Sequence, residues 1–275
     1  MEYNNNITSL GAQERQLLHR VMEQGSIIVT AGDVQQQLRG SRQHANLVLS
    51  RLHAKGWLQR TKAGVYMVIP LSADPKQFLP EEPWALATAL FSPCYLTGWT
   101  AAQHWDFTEQ IFNTTLVYTS KLSRKTEQVI AGLTYRLHHV KEVEIFGTVP
   151  IWLNNHRVLM ADPHRTLIDC LDNPNMAGGS RMLFAINKCY WNSPHAAKCA
   201  TLLKYAKKLG RGTVFKRMGF LAEHVGVASK TWLQHCRQNI SSGISKLDPS
   251  GANEGRIVTR WGLKINIPVE NLDDQ

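Results

Sequence analysis

The sequence predicts an α+β protein built as an N-terminal winged helix-turn-helix over residues 1–70, a linker over 71–83 and a larger mixed α+β domain over 84–275, strands first and helices after. Three observations carry this. Short amphipathic helical segments follow one another and lead into a hairpin signal; a proline-containing stretch then breaks all periodicity; and beyond it the apolar period changes from about two to about 3.6 near Asp162. Length alone argues for a second domain, because a winged helix needs far fewer than 275 residues.

Within the first domain, Gln13 to Glu23 sets Leu17, Leu18 and Val21 on one face, and Thr30 to Leu38 sets Val34 and Leu38 inward. After Arg39 and Gly40 comes SRQHANLVLSRLHAK, residues 41–55, in which Ala45, Val48, Leu49 and Leu52 form one apolar stripe. Ser41 is placed to cap this helix and Gly56 to end it. Its other face offers Arg42, Gln43, His44, Asn46, Ser50 and Arg51 with no carboxylate among them. A helix of about 20 Å fits the major groove. Downstream, WLQRT and VYMVIP flank Lys62, Ala63 and Gly64, the signal for a hairpin wing.

This pattern assigns base edges to Arg42, Gln43 and Asn46, at the start of the helix, where arginine pairs with guanine and glutamine or asparagine with adenine. Phosphates fall to Ser41, His44, Arg51, Lys55, Arg60 and Lys62. The expected partner is double-stranded DNA. Composition agrees: 31 lysines and arginines stand against 21 aspartates and glutamates, a formal net charge of +10. An acidic protein or a membrane surface would meet the same arithmetic.

The second domain reads in order. LSADPKQFLPEEP, residues 71–83, is the linker. Trp84 to Phe91 is a helix with Pro83 in its first turn, and Thr97 caps a short helix carrying Trp99, Ala102 and Trp105. TTLVYT, LTYRLHHV, KEVEIF, VPIWL and RVLMA are expected strands. Asp162 caps a helix whose Leu167, Ile168 and Leu171 share a face, with Asp169 at an exposed position. Further helices are expected over Gly179 to Tyr190, His195 to Leu209, Thr213 to Val225 and Lys230 to Ile240, with RWGLKINIP as a closing strand. Met218, Phe220 and Leu221 read as core, and Glu223 as facing solvent or a basic neighbour.

Other constellations were weighed for chemistry. Lys198, Lys204, Lys207, Lys208, Arg211, Lys216 and Arg217 occur with no carboxylate between them and are expected to form a basic surface, for solubility first, nucleic acid second or a protein partner third. Asp162, His164 and Asp169, with His138, His139, His156 and His224, hold the atoms of an acid–base or metal site, but no metal-ligand spacing and no phosphate loop accompanies them. No enzyme activity, metal or cofactor is therefore expected. Gly178 and Gly179 offer either a phosphate-binding turn or a plain one. Five singly scattered cysteines, a polar start and no long apolar run lead us to expect a reduced, cytoplasmic chain without a membrane span.

Four segments, YLTGWTAAQHWDFTEQ, ADPHRTLIDCLDNPNMAGG, MGFLAEHVG and LDPSGANEGRIVTRWGLKIN, occur in the order found in the AbiEi antitoxins of type IV toxin–antitoxin, or abortive-infection, systems, which the chain resembles over nearly its whole length. That resemblance implies a protein with two tasks. Its winged helix would bind inverted repeats in its own promoter as an autorepressor, and its C-terminal domain would oppose a cognate nucleotidyltransferase-like toxin without a stable complex being required. Two alternatives stay open: a regulator whose large domain senses a ligand or partner, and a nucleic-acid-processing enzyme that docks through the winged helix.

Overall fold

The computed structural model describes residues 10–70, 82–154 and 156–267. Most of the expected linker, residues 71–81, and the N-terminal tail over 1–9 lie outside the described residues.

The first unit comprises α1 (Ala12–Glu23), β1 (Ile28–Thr30), α2 (Ala31–Leu38), α3 (Arg42–Ala54), β2 (Leu58–Lys62) and β3 (Val65–Val68). Local chemistry fixes each start. The Thr30 hydroxyl accepts from the Asp33 amide and the Asp33 carboxylate accepts from the Thr30 amide, a reciprocal cap on α2. Ser41 accepts from the His44 amide at 3.1 Å and starts α3. Between the two helices Arg39 adopts a left-handed φ of 49°, which turns the chain. Leu17, Leu18, Val21, Val34, Val48, Leu49 and Leu52 then meet in a closed core with Leu58 and Tyr66. The three strands pair antiparallel in the order β1-β3-β2. At three residues, β1 is too short to leave a periodic signal.

The second unit begins with α4 (Pro83–Phe91), β4 (Cys94–Leu96) and α5 (Gly98–His104). There follow β5 (Thr114–Thr119), β6 (Glu127–Ile130), β7 (Leu133–His139), β8 (Thr148–Leu153) and β9 (His156–Ala161). Next come α6 (Pro163–Asp172), α7 (Ser180–Asn192), α8 (Ala200–Leu209), α9 (Gly212–Val225) and α10 (Lys230–Arg237), and last β10 (Ser245–Lys246), β11 (Arg256–Val258) and β12 (Leu263–Ile265). Six strands form one mixed sheet, ordered β6-β7-β5-β4-β9-β8, and β10-β12-β11 form a small second one. The class is α+β, and strands precede helices only in part: α4 and α5 come early and the small sheet comes last.

Several expectations are corrected. KEVEIF is not a strand: Glu142–Glu144 is a 3-10 turn, because the Glu144 carboxylate folds back to accept from the Lys141 amide at 2.9 Å. The helix expected from His195 breaks into a 3-10 turn over Pro194–Lys198 and then α8, and the last long helix stops at Arg237. In the closing segment Thr259–Trp261 is a 3-10 turn and only Leu263–Ile265 is strand. Thr97 stands at the N-cap of α5 without capping it, since its hydroxyl is spent elsewhere. Phe220 is only half-buried, whereas Met218 and Leu221 are core. Glu223 bonds Arg237, Arg260 and the Trp261 indole, which meets the expectation of a basic neighbour.

The largest correction concerns Asp169, which is buried, not exposed. Every residue from Pro163 to Leu171 is buried, because α6 lies between the large sheet and the helices behind it. Asp169 accepts from the Thr97 hydroxyl at 2.7 Å and from the Tyr95 hydroxyl at 3.0 Å, and pairs with Arg165 Nε at 2.9 Å. Arg165 also donates to Tyr95 and lies 4.1 Å from the centroid of the Phe146 ring. Burial pushes the Asp169 carboxyl above its ordinary value, and Arg165 with the two hydroxyls opposes that push. Gly98 lets α5 pack against the 3-10 turn Pro174–Ala177 that follows α6: at its φ of 56° a Cβ would stand 2.2 Å from the Met176 carbonyl oxygen.

The two units share a packed boundary. Met67 of β3 is fully buried in the core of the second unit, with Ile27, Ile28 and Val65 half-buried against it. Removing one partner of the buried pair should be costly, since the other charge stays behind. We expect Asp169→Asn to lower unfolding free energy by about 3 kcal/mol, read by chemical denaturation; a loss under about 0.5 kcal/mol would refute this account of α6.

Candidate nucleic-acid interface

Helix α3 turns Ala45, Val48, Leu49 and Leu52 into the core and leaves Arg42, Gln43, Asn46, Ser50 and Arg51 exposed. The three residues expected at base edges therefore share one outward surface at the start of the helix. Ser41 is spent as the cap, and His44 is half-buried against Gly40. Arg51 donates to the Leu47 carbonyl at 3.4 Å and keeps its guanidinium exposed. Leu47, 61% exposed, is an apolar residue on this otherwise polar face.

Two lysines among the expected phosphate contacts also bond within the protein. Lys55 pairs with Glu14 at 2.5 Å. The hydrogen bond from Lys55 holds the Glu14 carboxyl below its ordinary value, with the Gly11 amide adding to the effect and burial opposing it. Lys62 turns back onto the second unit, where its ammonium donates to the Leu90 carbonyl at 3.4 Å beside the Phe91 ring. Burial, and then the charge of nearby Lys121, pull Lys62 below its usual value. Arg60 is exposed on the hairpin. VYMVI is a continuous apolar run of the kind that is covered on both faces, which is the sequence signal for this boundary.

The basic stretch in the second unit dissolves into separate roles. Lys216 and Arg217 are buried, which corrects their place on a surface. Lys216 donates to the Gly243 carbonyl at 2.6 Å. Arg217 donates to the carbonyls of Leu171, Asp172 and Lys246 and so satisfies the end of α6. Arg211 is exposed but pairs with both Asp172 and Glu144. Lys198, Lys204, Lys207 and Lys208 remain exposed, with the Lys208 ammonium 4.2 Å from the centroid of the Phe146 ring.

Asp162 and His164, considered for catalysis, have structural partners. Asp162 caps α6 and accepts from the Tyr205 hydroxyl at 2.7 Å. His164 Nδ1 lies 2.7 Å from the Tyr190 hydroxyl, and burial lowers its tendency to protonate. Among the described residues no group of three His, Cys, Asp or Glu side chains could hold a metal ion, and no helix is long and apolar enough to cross a membrane. Gly178 and Gly179 border a groove of about 760 Å³ floored by Trp99 and Phe112, but their amides donate to Asn175 and Pro174, so they form a turn.

Replacing Glu14 by Gln should cost about 1 kcal/mol at neutral pH, within the range for a shielded ion pair that is partly open to solvent. The folded carboxyl titrates below its ordinary 4.5, so the contribution is present above that value and is lost as pH falls through the folded value. Denaturation curves of Glu14→Gln and the parent chain should therefore converge in acid. An unchanged gap there would exclude the ion pair as its cause.

No family model and no curated protein matches the chain. Among solved structures it is similar to the crystal structure of the RV2827C protein from Mycobacterium tuberculosis, with a TM-score of 0.59 over 93% of this chain and 92% of that one. Sequence identity between them is 14%, so the likeness extends to the fold alone.

Proposed function

We propose that this chain binds DNA through a winged helix-turn-helix formed by its first unit, represses its own promoter at inverted repeats, and opposes a cognate nucleotidyltransferase-like toxin through its second unit. The observation that carries the DNA reading is α3: a helix capped at Ser41, closed into a core on one side, and presenting Arg42, Gln43 and Asn46 on the other without a carboxylate. The element order α1-β1-α2-α3-β2-β3 and the sheet order β1-β3-β2 support the winged-helix reading. A helix so displayed has the donors and acceptors that major-groove edges require. The net charge of +10 supplies the sequence-independent part of the attraction.

The antitoxin part rests on the resemblance. In this fold the four segments that carry it meet one another: Tyr95 and Thr97 of the first bond Asp169 of the second, and Glu223 of the third bonds Trp261 of the fourth. They are scaffold motifs, so they speak for the architecture of the second unit rather than for a reacting group. The groove beside Trp99 favours a second reading, a regulator with a ligand-sensing second unit. A DNA affinity that changes with an added metabolite would distinguish it.

Fluorescence anisotropy on the DNA upstream of the coding sequence and on a scrambled duplex tests the proposal. Preference for the upstream duplex by about 10³ or more, falling in affinity as salt rises, is expected. Arg42→Ala combined with Gln43→Ala should remove about 1–3 kcal/mol of discrimination per lost contact while leaving toxin neutralisation intact in co-expression. Equal binding of the parent chain to both duplexes, or full selectivity in the double variant, would contradict it.

A further inference from the structure

The tip of the β2–β3 hairpin does not stand alone. Thr61 and Lys62 form one wall of a groove of about 570 Å³ whose other wall is the β5–β6 loop of the second unit, with Ser123, Arg124 and Lys125. This loop carries Lys121, Arg124 and Lys125, all exposed. Among the described residues no carboxylate pairs with any of these three side chains. The one carboxylate lining the groove, Glu127, is bound to Arg136 at 3.1 Å. The loop is also held in shape: the Ser123 hydroxyl donates to the Lys125 carbonyl at 2.8 Å, and the Gln128 amide donates to the Ser123 hydroxyl at 2.9 Å.

Lys62, the cation that a wing would point at a phosphate, is instead turned onto the Leu90 carbonyl. Lys62 keeps its charge and stays exposed at the groove, and the loop beside it adds three more cations. We infer that the β5–β6 loop of the second unit extends the wing and that Lys121, Arg124 and Lys125 contact the backbone phosphates of the duplex bound by α3. This rests on the DNA-binding reading given above. Three points support it on physical grounds. Exposed cations without carboxylate partners keep their full attraction for phosphate. A loop ordered before binding loses less entropy when it docks. And the boundary packed around Met67 fixes the loop beside the hairpin, so contact needs no rearrangement of the two units.

The test uses the full chain, the upstream duplex and the scrambled duplex, with anisotropy measured at several salt concentrations. The variant K121Q/R124Q/K125Q removes the charges and leaves Ser123 and Gln128 in place. Each lost phosphate contact should flatten the slope of log affinity against log salt by about 1, so by about 3 in all. Affinity should fall by the same factor on both duplexes, leaving their ratio unchanged, which separates this loop from Arg42 and Gln43. If the parent chain binds DNA with a steep salt slope and the triple variant keeps that slope, the inference is overturned and the DNA reading survives. If the parent chain shows no salt-dependent binding to either duplex, both fall. A thermal unfolding curve matching that of the parent chain confirms that the variant is folded.

Discussion

A buried ion pair is costly unless neighbouring groups bond to it, and this constraint organises the second unit. Arg165 and Asp169 stand one turn apart on α6, a helix buried along nearly its whole length. The sheet supplies part of their hydrogen bonding: Tyr95 and Thr97 at β4 donate to Asp169, and the Tyr95 hydroxyl accepts from Arg165. Strand β4 lies next to β9, which leads directly into α6, so the same few residues set the sheet's centre and the helix behind it. The aromatic face of Phe146 closes over the guanidinium. Hydrophobic packing on either side then follows from where this pair sits.

The contrast between the units explains what could be read in advance. In the first unit local signals and tertiary structure agree: Thr30 and Ser41 cap, Val48 and Leu52 face inward, and the helices come out within a residue or so of their expected bounds. In the second unit they conflict. Asp169 carries the polarity of a surface position and is buried because distant hydroxyls receive it. Lys216 and Arg217 look like part of a charged face, yet their long side chains run to the Gly243 carbonyl and to carbonyls at the end of α6, far along the chain. KEVEIF has the alternation of a strand, but the Glu144 side chain reaches its own backbone first. Tertiary bonds decide each case.

The candidate interface was legible in the same uneven way. Arg42, Gln43 and Asn46 emerge together because a single helix carries them and its period is fixed. Lys55 and Lys62 were beyond reach, since Glu14 and the Leu90 carbonyl are far along the chain. By burying Met67, the boundary between the units sets the β5–β6 loop of the large sheet beside the β2–β3 hairpin.

The most direct measurement of the central claim is photocrosslinking from α3. A benzoylphenylalanine placed at position 46, where Asn46 is exposed in the first turns of the helix, should crosslink to bases at discrete positions of the upstream duplex. The same probe at position 152, where Trp152 is exposed on edge strand β8, should not. Crosslinks from position 152 with none from position 46 would mean that the protein meets DNA by another face, and that α3 is simply a solvated helix.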